Sequence, residues 1–437
     1  MSFITNIRSV AKYESKILVR SWFFRIFTLL AVVFLGFFNF AMMLMEDNFG
    51  LWFAKSVSSN IPYLNLLLLN TGQAVVAVFL SSEFLKRDKK LDTSEVFYVR
   101  PLSNAEYVVG KIWGNLRVFL FLNLLVLAIV LAFNFMASGV TVDLPAYLVY
   151  FFLISIPTLI FIIGLSIFLM LLLKNQALTF ILLLGYIGLT LFYIQDKFYY
   201  LFDYMVYNLP LFKSTIVGFS NLELILNHRA IYFFAGLGFI FFTIFLFKRL
   251  PNARRSHYPW LFLSFCMFLL MVTAGFRHVR SILREGEMRA LYTSINNKYV
   301  YEPKMAIDYY DISVEQKSET IRSVVGMEGT ALAASEVFIF CLNPGLRVEE
   351  VKDGEKSLNF KREEQILAVD FGREIEKGDT ISFSVSYEGR IKDDFCYLDI
   401  PEEVLQQPYD KEMLKLDKKY SFQTTAVQRK YLRHDLN

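Results

Sequence analysis

The sequence predicts an α-helical multi-pass membrane bundle of about seven spans, followed by an extracytoplasmic all-β sandwich domain. Three observations carry this prediction. Of the 437 residues, 55% are hydrophobic and only 20% are charged, against about 25% charge in ordinary soluble domains. The apolar residues are gathered into runs long enough to cross a bilayer. Lys and Arg residues at the ends of those runs alternate between dense and sparse from loop to loop, and from about residue 306 the pattern changes to alternating apolar and polar residues.

Residues 1–22, MSFITNIRSVAKYESKILVRSW, are expected to form an amphipathic cytoplasmic leader helix. Phe3, Ile7, Val10, Ile17 and Leu18 recur at roughly helical spacing, with Arg8, Lys12, Lys16 and Arg20 between them. The basic side would meet anionic headgroups; a flanking helix that only sets topology is the other reading. The apolar run that follows is too long for a signal-peptide core of roughly 7–15 residues, so it reads as an anchor that stays.

The candidate spans are 23–45, 63–85, 109–136, 146–173, 177–194, 230–247 and 260–276. Basic residues cluster before the first span, after the second (Lys86, Arg87, Lys89, Lys90, Arg100, Lys111), after the fourth (Lys174) and after the sixth (Lys248, Arg249, Arg254, Arg255). All of these fall on one side if each run crosses once, while the loops around Glu46, Asp143 and Asp196 are poor in basic residues. The N-terminus is therefore expected in the cytoplasm and the C-terminal domain outside. Arg277, Arg280 and Arg284 lie outside in that scheme and are outnumbered. The aromatic loop 195–229 is expected to form a pair of short helices dipping into the outer headgroups. Pro157 should kink the fourth span, with neighbours satisfying the freed carbonyl.

Residues 23–250 thus read as the membrane domain, 251–305 as the seventh span and a linker, 306–405 as the β-sandwich and 406–437 as a polar tail. About eight short strands separated by signals such as NPG and KDGE fit a sandwich. Tyr309, Tyr310, Phe338 and Phe395 are expected in its core. Three cysteines make no disulfide framework; Cys341 and Cys396 are expected as free thiols, pairing only if the domain is extracytoplasmic and brings them together.

Several chemistries are excluded. A phosphate-binding loop needs GxxxxGK followed by Ser or Thr; the sole Gly-Lys pair, Gly110-Lys111, has Ala105 and Ile112 at the other required positions. A zinc peptidase needs HExxH, and none of His228, His257, His278 and His434 is followed by Glu. The GxSxG elbow of a serine hydrolase is missing. Neither catalytic residues nor a metal or cofactor site is expected in this chain, and a net charge of +4 does not argue for nucleic acid.

The informative stretch is EFLKRDKKLDTSEVFYVRPLSNAEYVVGKIWGNL, residues 83–116, between the second and third spans. Pro101 keeps Arg100 out of helix. Ser103 can cap a helix starting near Asn104, with Glu106 in its first turn, where the helix dipole favours an acid. Residues 91–99 can form a short helix before it. Such a two-part element is rigid enough to transmit force, unlike a Gly/Ser loop; a merely solvated, topology-setting loop is the other reading. Lys111 and Arg117 are expected near the inner headgroups, where long cationic chains snorkel, and Arg117 is expected to pair with Glu83 at the end of the second span. Within that span Asn70, Gln73, Ala77 and Ser81 share one stripe. It serves either as interhelical glue or as part of a substrate pathway.

Asp92-Thr93-Ser94-Glu95, then Arg100-Pro101-Leu102-Ser103, then Gly110-Lys111 resembles the corresponding loop of ABC-2 class permeases, the membrane subunits of ATP-binding-cassette transporters. Asp92 stands where the family often has Gly. With the leader and the outer loop, the resemblance covers residues 1–250. It implies a non-enzymatic permease subunit that works as a homo- or heterodimer in the lipid bilayer of a bacterial inner (plasma) membrane, with the C-terminal domain periplasmic. A separate cytoplasmic ATPase, carrying the ATP and magnesium, would grip Asp92, Thr93, Glu95, Arg100, Pro101, Leu102, Ser103, Glu106, Gly110 and Lys111. Residues 306–403, with their LNPGL turn and YLDIPEE end, resemble the N-terminal β lobe of gluzincin aminopeptidases, as in permease–aminopeptidase fusions of some Bacteroidetes. The catalytic lobe expected after that end is missing. This implies a shortened or partial fusion and leaves an alternative: a membrane-anchored, catalytically inactive, peptide-binding protein.

Overall fold

The computed structural model describes residues 3–44, 58–82, 102–136, 141–194, 197–206, 209, 211, 213, 221–247, 258–317, 320–392 and 395. They fall into two compact units, one of described residues up to Val279 and one from Arg280 onward.

The first unit is helical. In chain order its elements are α1 (Phe3–Arg20), α2 (Trp22–Leu44), α3 (Asn60–Ser82), α4 (Asn104–Met136), α5 (Leu144–Tyr150), a π-helical turn (Phe151–Ser155), α6 (Ile156–Leu173), α7 (Gln176–Phe192), a 3-10 turn (Phe198–Tyr200), α8 (Leu222–Leu246) and α9 (Tyr258–Lys298), whose last turns belong to the second unit. Among the described residues, six helices are long and apolar enough to cross a membrane, with Leu144–Leu173 as one of them. The fifth expected span is α7, whose 17 residues extend about 26 Å, short of a hydrocarbon core of roughly 30 Å.

Local chemistry sets the breaks. Asp143 caps α5 by accepting from Ala146 N at 3.2 Å. Lys174 closes α6 in the left-handed region at φ 54°, and Asn175 caps α7 by accepting from Leu178 N, so a two-residue turn reverses the chain. Pro157 has no N–H for the Leu153 carbonyl, and the chain widens into the π turn just before it. Arg229 Nε of α8 donates to that carbonyl at 2.7 Å, which is the rescue expected from the sequence.

The outer loop departs from expectation. In place of a pair of short helices, its described residues ahead of α8 hold one three-residue 3-10 turn, with Phe198, Tyr199, Tyr200 and Val206 at φ of 53 to 62°. Tyr204, Met205, Val206, Leu209 and Leu211 are buried. Backbone withdrawn from water needs internal partners, and the bundle supplies them. His278 and His228 Nε2 donate to the Tyr199 and Tyr200 carbonyls at 2.8 and 3.0 Å, Tyr232 to Leu201, Arg229 to Tyr204 at 3.0 Å, and Tyr63 to Val206 at 3.1 Å. Lys213 also pairs with Asp143. Aromatic content alone did not distinguish a buried segment from one lying in headgroups.

The second unit holds eight strands among its described residues, β1 (Met305–Lys317), β2 (Thr320–Ala331), β3 (Ser335–Cys341), β4 (Leu346–Asp353), β5 (Lys356–Ser357), β6 (Asn359–Glu363), β7 (Ile366–Ile375) and β8 (Thr380–Gly389). All ladders are antiparallel, in a five-stranded sheet ordered β1-β2-β8-β4-β5 and a three-stranded sheet ordered β3-β7-β6. Alternation does the sorting: in TISFSVSYEG, Ile381, Phe383 and Val385 turn inward. The sheets meet through Phe338 and Phe371 of one and Phe383 of the other, the Phe371–Phe383 rings standing edge to face at 5.6 Å. The end of α9 is fastened to the smaller sheet by Gln365 Nε2, which donates to the Tyr292 carbonyl and Asn296 Oδ1 at 2.6 and 2.8 Å. The Tyr299 hydroxyl and Lys298 ammonium hold the Glu363 carboxyl below the usual carboxylate range.

Phe338 is buried as expected, and Phe395 packs against Tyr292 at 5.6 Å. Tyr309 and Tyr310 are not core: they are 59% and 53% exposed. The reason is topological. Among the described residues β1 is an edge strand, paired with β2 alone, and the buried row that runs through Val325 and Val385 ends outward at Ile312. Cys341 carries no disulfide and its thiol is pushed up by burial, while Cys396 lies outside the described residues.

Phe371→Ala is expected to destabilise the second unit by about 3–5 kcal/mol, whereas Val324→Thr on the exposed face should change it by less than about 0.5 kcal/mol. Urea-dependent proteolysis of the full chain reads both.

Candidate functional site

The start of α4 is a tied junction. The Ser103 amide donates to Glu106 Oε2 at 2.6 Å, and the Glu106 amide donates to Ser103 Oγ at 3.1 Å. This is a reciprocal capping box, a stronger device than the single cap read from the sequence. The other Glu106 oxygen accepts from Asn6 Nδ2 of α1 at 2.8 Å. Asn104 Nδ2 donates to the Phe247 carbonyl at 2.6 Å, and the Tyr107 ring stacks on Phe247 at 5.5 Å. One helix N-terminus therefore holds the leader and the end of α8 together.

Below the junction α1 lies against α4 at close range, and glycines make this possible. A β-carbon on Gly110 would meet Val10 Cβ at 2.7 Å; one on Gly114 would meet Glu14 Cβ at 2.7 Å and the Ala11 carbonyl at 2.9 Å. In that contact Lys111 Nζ lies 3.7 Å from Glu14 Oε2, with both side chains 4% exposed. Ser15 Oγ donates to the Gly114 carbonyl at 2.7 Å, while Arg117 donates to Ser15 Oγ at 2.5 Å and to the Ala11 carbonyl at 2.8 Å.

One expectation changes here, and another falls partly outside the described residues. Lys111 does not snorkel; it is buried, because Glu14 compensates its charge and the Tyr107 ring lies 5.0 Å beneath it. Arg117 is engaged by α1; Glu83, its expected partner, lies outside the described residues, as do Asp92, Thr93, Glu95, Arg100, Pro101 and the short helix expected over 91–99. Leu102, Ser103, Glu106, Gly110 and Lys111 are described and converge on α4.

Asn70 and Gln73 of α3 meet Asn123 of α4 and Ser155 of the π turn, and all four are fully buried. Gln73 Nε2 donates to Asn70 Oδ1 at 2.5 Å, Asn123 Nδ2 to Gln73 Oε1 at 2.9 Å, and Ser155 Oγ to Asn123 Oδ1 at 2.8 Å. Asn70 Nδ2 reaches both Asn123 and Ser155 at 3.3 Å. The stripe thus joins three elements in a closed circuit; the Ser81 side chain lies outside the described residues. Asn39 and Asn65 tie α2 to α3 by reciprocal bonds of 2.7 and 3.1 Å.

Sequence reading missed Glu14, Gly114, Asn123 and Ser155. The signals were present: Glu14 is the one acid of the leader, Gly110 and Gly114 form a GxxxG pair, and Asn123 interrupts an apolar run. Among the described residues no group of three or more His, Cys, Asp or Glu is placed to hold a metal ion. Neither a protein-family model nor a curated protein matches the chain.

Gly114→Leu is expected to push α1 off α4 and lower the thermal unfolding midpoint of the detergent-solubilised protein by several degrees. Gly185→Leu should leave it nearly unchanged, because a β-carbon there meets nothing within 4 Å. Equal losses would contradict the close contact.

Proposed function

We propose that the chain is the membrane subunit of an ATP-binding-cassette transporter, a permease that moves its substrate across the plasma membrane when a separate cytoplasmic ATPase binds and hydrolyses ATP. One observation carries the reading. The helix that leaves the charged loop begins in a reciprocal capping box and is locked to the leader by Glu14–Lys111, Ser15 and Arg117. A push delivered to the start of α4 reaches α1 and the end of α8 as well, because hydrogen bonds and a ring stack join the three.

In this reading the loop 83–101 faces the cytoplasm and receives the ATPase, with Arg100 and Glu95 as its charged contacts. The six long helices support a transmembrane protein; α7 completes the count of seven by crossing thinned bilayer, which puts the β-sandwich in the periplasm. The closed circuit of Asn70, Gln73, Asn123 and Ser155 serves as glue holding α3, α4 and the π turn in register, so the substrate path lies elsewhere, between two copies or between this chain and a related one.

The exposed tyrosines of β1 favour a second role for the outer domain. An edge strand with Tyr309 and Tyr310 on its two faces suits the addition of an extended peptide. This supports peptide binding by the domain and does not require so elaborate a bundle as its tether.

The test is purification of the full chain in mild detergent. The permease reading expects a nucleotide-binding protein to co-purify with ATPase activity, and to be lost on Arg100→Glu or on deletion of 91–104 while the membrane protein itself stays intact. An ATPase that never associates, together with peptide retained by the outer domain, favours the anchored peptide-binding protein instead.

A further inference from the structure

The leader has a second face that the clamp leaves open. α1 carries five charged side chains: Arg8, Lys12, Lys16, Arg20 and Glu14. Glu14, the single acid, is buried against Lys111. The four cations are all exposed. They are spaced four residues apart, so they form one continuous row about 18 Å long on the helix. The exposed surface of α1 is therefore uniformly cationic, interleaved with exposed Phe3, Ile4, Tyr13 and Val19.

Position supplies the partner. α1 is followed by the single residue Ser21 and then α2, and Arg25 Nε donates back to the Val19 carbonyl at 3.1 Å, fixing the corner. Past the exposed Arg25, the open surface of α2 is apolar through Ile26, Leu29, Leu30, Val33, Phe34 and Phe37. On the membrane reading that surface faces acyl chains, so the cationic row lies in the headgroup layer, where each Lys or Arg adds attraction for anionic lipid. The opposite face of the same helix holds α4 through Glu14, Ser15 and the Ala11 carbonyl.

We propose that the outer face of α1 binds anionic phospholipid headgroups, and that lipid held there keeps α1 seated on α4. The leader is then a lipid-responsive brace for the helix that follows the charged loop. The proposal rests on the membrane reading of the bundle and not on an ATPase partner.

The full chain is purified in mild detergent, its bound phospholipid is measured, and its unfolding midpoint is compared in nanodiscs of phosphatidylcholine with and without phosphatidylglycerol. The expected result is enrichment of phosphatidylglycerol over its share of the membrane, and a higher midpoint when it is present. The variant R8Q/K12Q/K16Q/R20Q should lose both effects, with enrichment falling about five-fold or more. K12R/K16R should keep both, as should R280Q/R284Q, which removes cations elsewhere. Equal enrichment in the glutamine variant overturns the proposal, as does a midpoint indifferent to phosphatidylglycerol in the unaltered protein. Loss of a bound ATPase from the glutamine variant with lipid retention unchanged also overturns it, since the row would then be a protein contact. Failure of the membrane reading is a separate outcome: the chain would stay in the supernatant without detergent.

Discussion

The structure depends on one buried contact, the glycine-lined seam where Glu14 of α1 meets Lys111 of α4. Burying two charges is costly, and removing either partner leaves the other stranded. The pair persists because Gly110 and Gly114 let the helices approach until Val10 and Glu14 touch the α4 backbone. That proximity brings Ser15 to the Gly114 carbonyl and Arg117 to the Ala11 carbonyl. The contact is specific in register. A slide of α1 by one residue would move Glu14 away from Lys111 and Val10 away from Gly110. The leader and α4 are therefore packed as one piece.

The same rule recurs elsewhere in the bundle, where several polar groups withdrawn from water are paired with one another. Pro157 frees the Leu153 carbonyl and Arg229 takes it. The outer loop puts non-glycine residues in the left-handed region, and its carbonyls are met by two histidines, tyrosines and the same arginine. The four-residue polar circuit in the core is closed on itself. An apolar environment leaves such groups no alternative partner, so each acts as a register mark between elements.

Much of this was legible in the sequence. Long apolar runs gave the helices because length and hydropathy set a span almost alone. Period-two alternation gave the strands, and Ser103 with Glu106 gave the start of α4, because caps are local chemistry. What was not legible depended on partners distant in sequence. Nothing in the leader says that Glu14 will turn inward, nor in Lys111 that it will be buried, until the other is known. The outer loop reads as an interfacial segment because its carbonyl partners are distant in sequence, Tyr63 lying 143 residues from Val206. Tyr309 and Tyr310 read as core because alternation reveals a face of a strand but not whether that strand lies at the edge.

The most direct measurement is a double-mutant cycle of Glu14→Gln and Lys111→Met, read as unfolding free energy of the full chain in mixed detergent micelles. If the buried pair organises the seam, each single substitution costs about 3 kcal/mol or more and the double variant recovers part of that loss, with a coupling of about 1–3 kcal/mol. Losses that simply add, within about 0.5 kcal/mol, would mean that the two charges do not depend on each other and that the leader is held by something else.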